Sequence, residues 1–210
     1  MSAMIELPAT PLTTPEAALG ELRAGNERFV AGTRIHPNQD AEHRTALANS
    51  QTPFAVVFGC SDSRLAAEII FDRGLGDLFV VRTAGHTIGP EVLGSIEYAV
   101  TILHTPLVVV LGHSSCGAVA AARDAVSSGQ PPDGHVRAIV DAVAPTVRLA
   151  MTEHVEDPDR IVTMHIERTV DMLCAESDAL ARAITDERCA VVGMFYELSA
   201  GRVREVTVAR

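Results

Sequence analysis

Cysteine is scarce, with four in 210 residues, too few for the disulfide framework on which small secreted domains rely. Positive charge is scarce as well. Lys and Arg number 17 against 27 Asp and Glu, giving a formal net charge of −10 and a pI near 5.2. Affinity for nucleic acid or an anionic membrane needs clustered cations that displace counterions, so neither partner is expected. Long apolar runs are missing too. Stretches such as Leu107–Leu111 have strand length and fall far short of the roughly eighteen residues that cross a bilayer. The first residues, with Glu6 and Pro8, lack a basic segment followed by an apolar one, so no signal peptide is read and the expected compartment is the cytoplasm. A reducing compartment leaves each thiol to pack, react or bind metal. No internal repeat, low-complexity tract or linker divides the chain.

What is present is a core-forming pattern. The composition is 47% hydrophobic, and at this length roughly 70% of the extended surface can be buried, as suits one domain. Residues 1–12, with Pro8 and Pro11, read as a loose arm, and residues 13–210 as a single domain. Thr13-Thr14-Pro15-Glu16 supplies a capping hydroxyl, a proline for the first helical position and an acid in the first turn, opening a helix through about Val30. Ala41–Asn49 reads as a second, short helix. Phe54–Phe58 is then a continuous apolar run between Pro53 and Gly59, the pattern of a strand buried on both faces. Leu78–Val81, Leu107–Leu111 and Ala190–Phe195 repeat it. Helical segments at Ala66–Asp72 and Glu91–Leu103 separate the first three, which makes the economical sheet parallel. The fold class is therefore α/β, a mostly parallel central sheet flanked by helices, with an N-terminal helical arm. Further helices are expected at Cys116–Ser127, Val136–Met151 and Asp159–Thr185, with Pro145 kinking or interrupting the second of these. Beyond a turn at Gly201, the alternation of Arg202–Val208 suggests an antiparallel edge strand.

The residues that carry chemistry follow two of these strands. Phe54–Gly59 leads into Cys60-Ser61-Asp62-Ser63-Arg64, and Leu107–Gly112 leads into His113-Ser114-Ser115-Cys116-Gly117. Open α/β sheets place ligands beyond the carboxyl ends of their strands. If the two strands are neighbours, two thiols, an imidazole, a carboxylate and a guanidinium converge there. Zn²⁺ favours such sulfur and nitrogen donors, with Cys60, His113 and Cys116 as three ligands and either Asp62 or water as the fourth. Cys116 opens a helix, whose positive end favours a thiolate. Arg64 can fork onto Asp62, holding it off the metal as an ionised acceptor that orients a bound water. An Asp62-closed site would instead make a non-catalytic zinc or redox-sensing module, a reading that Arg64 argues against. His86 is a weaker candidate for a proton relay. His36, His43, His104, His135, His154 and His165 read as surface or capping groups, and Cys174 and Cys189 as core thiols.

These two motifs resemble those of the β-class carbonic anhydrases over about residues 15–200. Gln51, Phe79-Val80-Val81-Arg82 and Ile96-Glu97-Tyr98-Ala99-Val100 are secondary matches. The resemblance implies one Zn²⁺ per chain on Cys60, His113 and Cys116, with Asp62 and Arg64 as the catalytic pair. Zinc-bound hydroxide would then attack carbon dioxide to give bicarbonate and a proton. Gln51 and the Gly117 N–H would bind carbon dioxide or bicarbonate, while Phe79, Ala84 and Tyr98 match positions lining an apolar cleft at a dimer interface. A homodimer or homotetramer is implied. Carbonyl sulfide or carbon disulfide hydrolysis on the same scaffold is a near alternative. Arg82 and Tyr196 match part of a bicarbonate-regulated site found in a subset of the family, but Val57 stands where that subset has tryptophan, which argues against such control.

Overall fold

A computed structural model describes residues 12–209, so the loose arm expected at 1–12 lies, but for Leu12, outside the described residues. Four apolar runs become parallel strands: β1 (Ala55–Cys60), β2 (Leu78–Thr83), β3 (Leu107–His113) and β4 (Ala190–Glu197). A fifth strand, β5 (Arg202–Ala209), runs antiparallel to β4. The order is β2-β1-β3-β4-β5, as the mostly parallel reading with an antiparallel edge predicts. Every residue of β1 and β3 is buried, because helices cover both faces of a parallel sheet.

The strand order reverses direction once. From β1 the chain passes outward to β2, then crosses back to place β3 on the other side of β1. The carboxyl ends of β1 and β3 therefore splay apart at the point where such sheets form a crevice. Cys60 ends β1 and His113 ends β3.

Eight α-helices surround the sheet among the described residues: α1 (Pro15–Ala31), α2 (Ala41–Ala46), α3 (Ala67–Ile70), α4 (Pro90–Thr101), α5 (Gly117–Ser128), α6 (Val136–Thr152), α7 (Pro158–Glu176) and α8 (Asp178–Thr185). The first is capped as its sequence predicts, with the Ala17 N–H donating to Thr14 Oγ1 at 3.2 Å and Gly32 closing it in the left-handed region. Helix α1 is pinned to the domain by Asn26, whose amide donates to the Ile70 and Gly201 carbonyls and whose Oδ1 accepts from the Val203 N–H.

Three helical expectations change. The segment read at Ala66–Asp72 shortens to α3, because Asp72 adopts a left-handed φ of 47° and turns its carboxylate to Arg28 and the Ile35 and His36 N–H groups. The single helix expected over Asp159–Thr185 breaks at Ser177, whose Oγ accepts the Leu180 N–H and donates to Glu97 Oε1 at 2.6 Å. Helix α6 runs through Pro145 rather than being interrupted there. The carbonyl that loses its partner belongs to exposed Asp141, where water can satisfy it.

Helix α7 lies unusually close to the sheet. A Cβ placed on Gly112 or on Gly193, in adjacent strands, would meet the Ile166 side chain at 2.7 Å. Glycine at both positions lets α7 settle onto β3 and β4, and it brings His165 toward the crevice.

Candidate metal centre

The two sequence motifs meet at the crevice. One sulfur each from Cys60 and Cys116 and one ring nitrogen of His113 lie within 4.8 Å of one another, and all three residues are buried. The imidazole is preset for a metal. Its Nδ1 donates to the Ser114 carbonyl at 2.9 Å, which sets the tautomer of the neutral ring so that the lone pair sits on Nε2. That Nε2 is buried and has no hydrogen-bond partner among the described residues. An orphaned acceptor between two sulfurs is the donor set of a tetrahedral soft-ligand site.

Cys116 occupies the cap position before α5, where unpaired N–H groups and the helix dipole favour a thiolate. Cys60 is held by a different device, the Gly85 N–H, which donates to its sulfur at 3.3 Å. Without a cation the two thiols compete. The hydrogen bond from Cys116, aided by the Gly85 N–H, holds Cys60 below the usual thiol range against the cost of burial. Cys116 is driven far above the usual thiol range, because it gives its proton to the hydrogen bond with Cys60 and is itself buried beside that thiolate. A divalent cation allows both to ionise, and the residues present therefore fit such an ion.

Asp62 stands beside this cluster, its Oδ2 3.9 Å from His113 Nε2. Arg64 grips the carboxylate at both oxygens, Nε to Oδ1 at 2.9 Å and Nη2 to Oδ2 at 2.7 Å, and the Arg64 N–H adds a third bond to Oδ1. Above all this hydrogen bonding with Arg64 keeps the Asp62 carboxyl well below the ordinary carboxylate range. Arg82 braces the loop from the other side, donating to the Cys60 and Asp62 carbonyls at 3.0 and 2.6 Å.

The other predicted positions are more scattered. Phe79 and Tyr98 come together, ring centroids 6.3 Å apart, and Tyr98 is 47% exposed. Ala84 and Gly117 are both exposed near the cluster, following β2 and opening α5. Gln51 is not brought to the site. It is exposed and lies two residues before Pro53, whose carbonyl accepts from Thr105 at the amino end of β3, a strand's length from Cys60. His86 is fully buried with neither ring nitrogen partnered among the described residues, and burial pushes it well below the usual histidine range. It has no contact with solvent through which to relay a proton. His165, read as a surface or capping group, is buried at 4% exposure. It and the Gly85 N–H are the contributors that motif reading missed.

Comparison with known proteins decides the family. The family model for carbonic anhydrase matches residues 55–203. The chain belongs to the β-carbonic anhydrase family. It is 54% identical over 192 residues to carbonic anhydrase 2 of Mycobacterium tuberculosis, covering 91% of this chain and 93% of that protein. It is 51% identical over 193 residues to a carbonic anhydrase of Mycolicibacterium smegmatis, covering 92% and 94%. Among solved structures, a tetrameric β-carbonic anhydrase of Sordaria macrospora superposes with a TM-score of 0.73 at 26% identity, covering 89% of this chain and 96% of that one. The chain is thus a carbonic anhydrase, and its fold is that of the β class. Among the described residues, no helix is long and apolar enough to cross a membrane.

Proposed function

We propose that the chain carries out the reversible hydration of carbon dioxide with one Zn²⁺ held by Cys60, His113 and Cys116. The observation that carries this reading is the partnerless His113 Nε2 set between two buried cysteine sulfurs beside a carboxylate that Arg64 holds away. When bound, zinc would supply an acidified water as nucleophile and charge to stabilise the product.

The chain's own groups do the rest. With both oxygens committed to Arg64, Asp62 cannot readily serve as fourth ligand and remains ionised, an acceptor that orients the attacking water by taking a hydrogen bond from it. Arg64 keeps that acceptor in place, and Arg82 fixes the loop that presents it. The exposed Gly117 N–H at the start of α5 is suited to bind a carboxylate oxygen of bicarbonate. Phe79, Tyr98 and Ala84 offer an apolar approach for a neutral, linear substrate.

An oligomer follows from the same reasoning. Among the described residues, strand β2 is an edge paired only to β1, its Phe79, Val80 and Val81 are only half-buried, and Tyr98 on the adjoining α4 and Ile102 just after it are exposed. Gln51 cannot reach the Cys60 cluster of its own chain, so any contact it makes with substrate must come from a second copy. The deciding experiment is stopped-flow hydration of carbon dioxide by zinc-loaded protein. Activity tied to one zinc per chain supports the proposal, and zinc-loaded protein inactive at alkaline pH overturns it in favour of a sensing module.

A further inference from the structure

Behind the cysteine cluster lies a chain of hydrogen bonds that the reaction as described does not use. His165 Nε2 lies 3.0 Å from the Gly85 carbonyl, and its Nδ1 lies 3.2 Å from Thr146 Oγ1. A carbonyl only accepts, so Nε2 must carry the proton. In a neutral ring Nδ1 is then an acceptor, and the Thr146 hydroxyl must donate to it. Burial draws His165 down to about 4, so the ring is neutral throughout the working range and the direction of the relay is fixed.

Gly85 is the other half of the device. Its φ of 65° places it in the left-handed region, and a Cβ there would meet Ala118 at 2.7 Å. The turn that results points the Gly85 N–H at Cys60 Sγ and its carbonyl at His165. All of the partners are buried: Thr146 at 1%, His165 at 4% and Cys60 at 5% exposure. The titratable and charged groups around the ring are His86, its ring tilted against His165 with centroids 4.6 Å apart, and, at longer range, Arg168 and Cys60.

We propose that Thr146 and His165 are positioning residues that hold the Gly85 turn so that its N–H withdraws charge from the Cys60 sulfur, and with it from the metal. The inference rests on the zinc reading above. A thiolate that accepts an N–H bond donates less charge to its ion, which leaves the ion a stronger acid. Two thiolates otherwise blunt the metal's acidity, so a donor aimed at one of them compensates for the choice of ligands.

The test compares wild type with Thr146→Val, His165→Leu and His165→Gln. Two readouts are followed: the pH midpoint of kcat/KM for carbon dioxide hydration by zinc protein, and the thiolate-to-metal charge-transfer band of cobalt-substituted protein. His165→Leu should move the midpoint alkaline by up to about one unit, a tenfold change in proton affinity, and should move the band to longer wavelength. His165→Gln, which retains an N–H donor at similar reach, should return both toward wild type. Thr146→Val should shift both in the same direction as Leu, by less. A folded His165→Leu protein with midpoint and band unmoved, or Leu and Gln variants equally altered, overturns the inference. If His165→Leu does not fold, Thr146→Val decides: a shift in both readouts supports the relay, and none overturns it. A wild-type chain that binds no zinc overturns the zinc reading and this inference together, whereas an active wild type with unmoved variants overturns this inference alone.

Discussion

Arg64 and Asp62 meet side-on, two side-chain hydrogen bonds of 2.9 and 2.7 Å joining a guanidinium to both oxygens of one carboxylate. That geometry is available only to arginine, because a lysine is a point charge and cannot occupy two oxygens in one plane. On the proposed reading, the pairing decides whether Asp62 would act on the water or on the metal.

Asp62→Asn should retain zinc and lose hydration activity by about 10²-fold, the ordinary worth of a positioned proton acceptor. Arg64→Lys should fall between wild type and Asp62→Asn. Stopped-flow kinetics with zinc stoichiometry measured on the same samples distinguishes these outcomes, and an Asp62→Asn protein of wild-type kcat/KM would rule out the acceptor role.

Cys60→Ser removes a proposed zinc ligand and leaves the Gly85 N–H without its sulfur. Zinc content should drop from one per chain to well below one. Ligand binding to the folded state adds about 4 kcal/mol when the ion is at a thousandfold its dissociation constant, so stripping zinc from wild type should lower Tm by roughly ten degrees. Cys60→Ser should start near the lower value and respond little to chelator. Calorimetry with and without chelator checks both.

Much of this was legible in the sequence, for a physical reason. Strands buried on both faces need continuous apolar runs, and Phe54–Phe58 and Leu107–Leu111 end in Cys60 and His113 with no intervening loop, so strand adjacency alone assembles the cluster. Other features depend on partners far away in the chain. Ser177 breaks a helix through a bond to Glu97, eighty residues distant, and helical periodicity does not register a one-residue break. The place of Gln51 depends on which end of the sheet its loop adjoins. His165 carried an unread signal: Ile161, Val162, Thr163, Met164 and Ile166 are all buried with it, and a helical stretch that is largely apolar on all sides belongs to the interior, histidine included.

His165 also predicts acid sensitivity of the fold. Its folded pKa of about 4 lies below the ordinary value of 6.5, so between those values the unfolded chain binds the proton and the folded chain does not. Stability therefore rises with pH across this window, and it is lost as pH falls from about 6.5 toward 4, by about 3 kcal/mol. His86, fully buried and displaced in the same direction, adds to the slope. Urea midpoints measured at intervals from neutral to mildly acidic pH should fall accordingly, and His165→Gln should flatten the dependence.

Ser177→Ala deletes both a helix cap and the donor to a carboxylate at a site 1% exposed. Loss of the cap and of a partly buried hydrogen bond should cost about 1–3 kcal/mol, visible as a Tm lower by several degrees. Hydration activity should be unchanged, since α8 lies away from the carboxyl ends of β1 and β3. A Tm equal to that of wild type would show that α7 and α8 are separated by something other than this serine.

The pH dependence of catalysis follows from charge. Two thiolates and a neutral imidazole reduce the formal charge of a Zn²⁺ site to zero, whereas three neutral imidazoles leave it at +2. Water at the neutral site is less acidic than at the +2 site, where its pKa is near 7. Asp62 does not reverse this. Its carboxyl is ionised far below neutrality, and an anion that accepts from the water disfavours a second negative charge beside it, an effect that Arg64 offsets by pairing. The kcat/KM profile should therefore still be rising above neutrality, with a midpoint higher than that of a three-histidine enzyme. A plateau already reached below about pH 6.5 would contradict the charge assignment. In Arg64→Ala the carboxylate's charge is no longer balanced, and the midpoint should move further toward alkali rather than merely lose amplitude. Profiles for the two proteins, taken in the same buffers, separate an electrostatic role for Arg64 from a purely steric one.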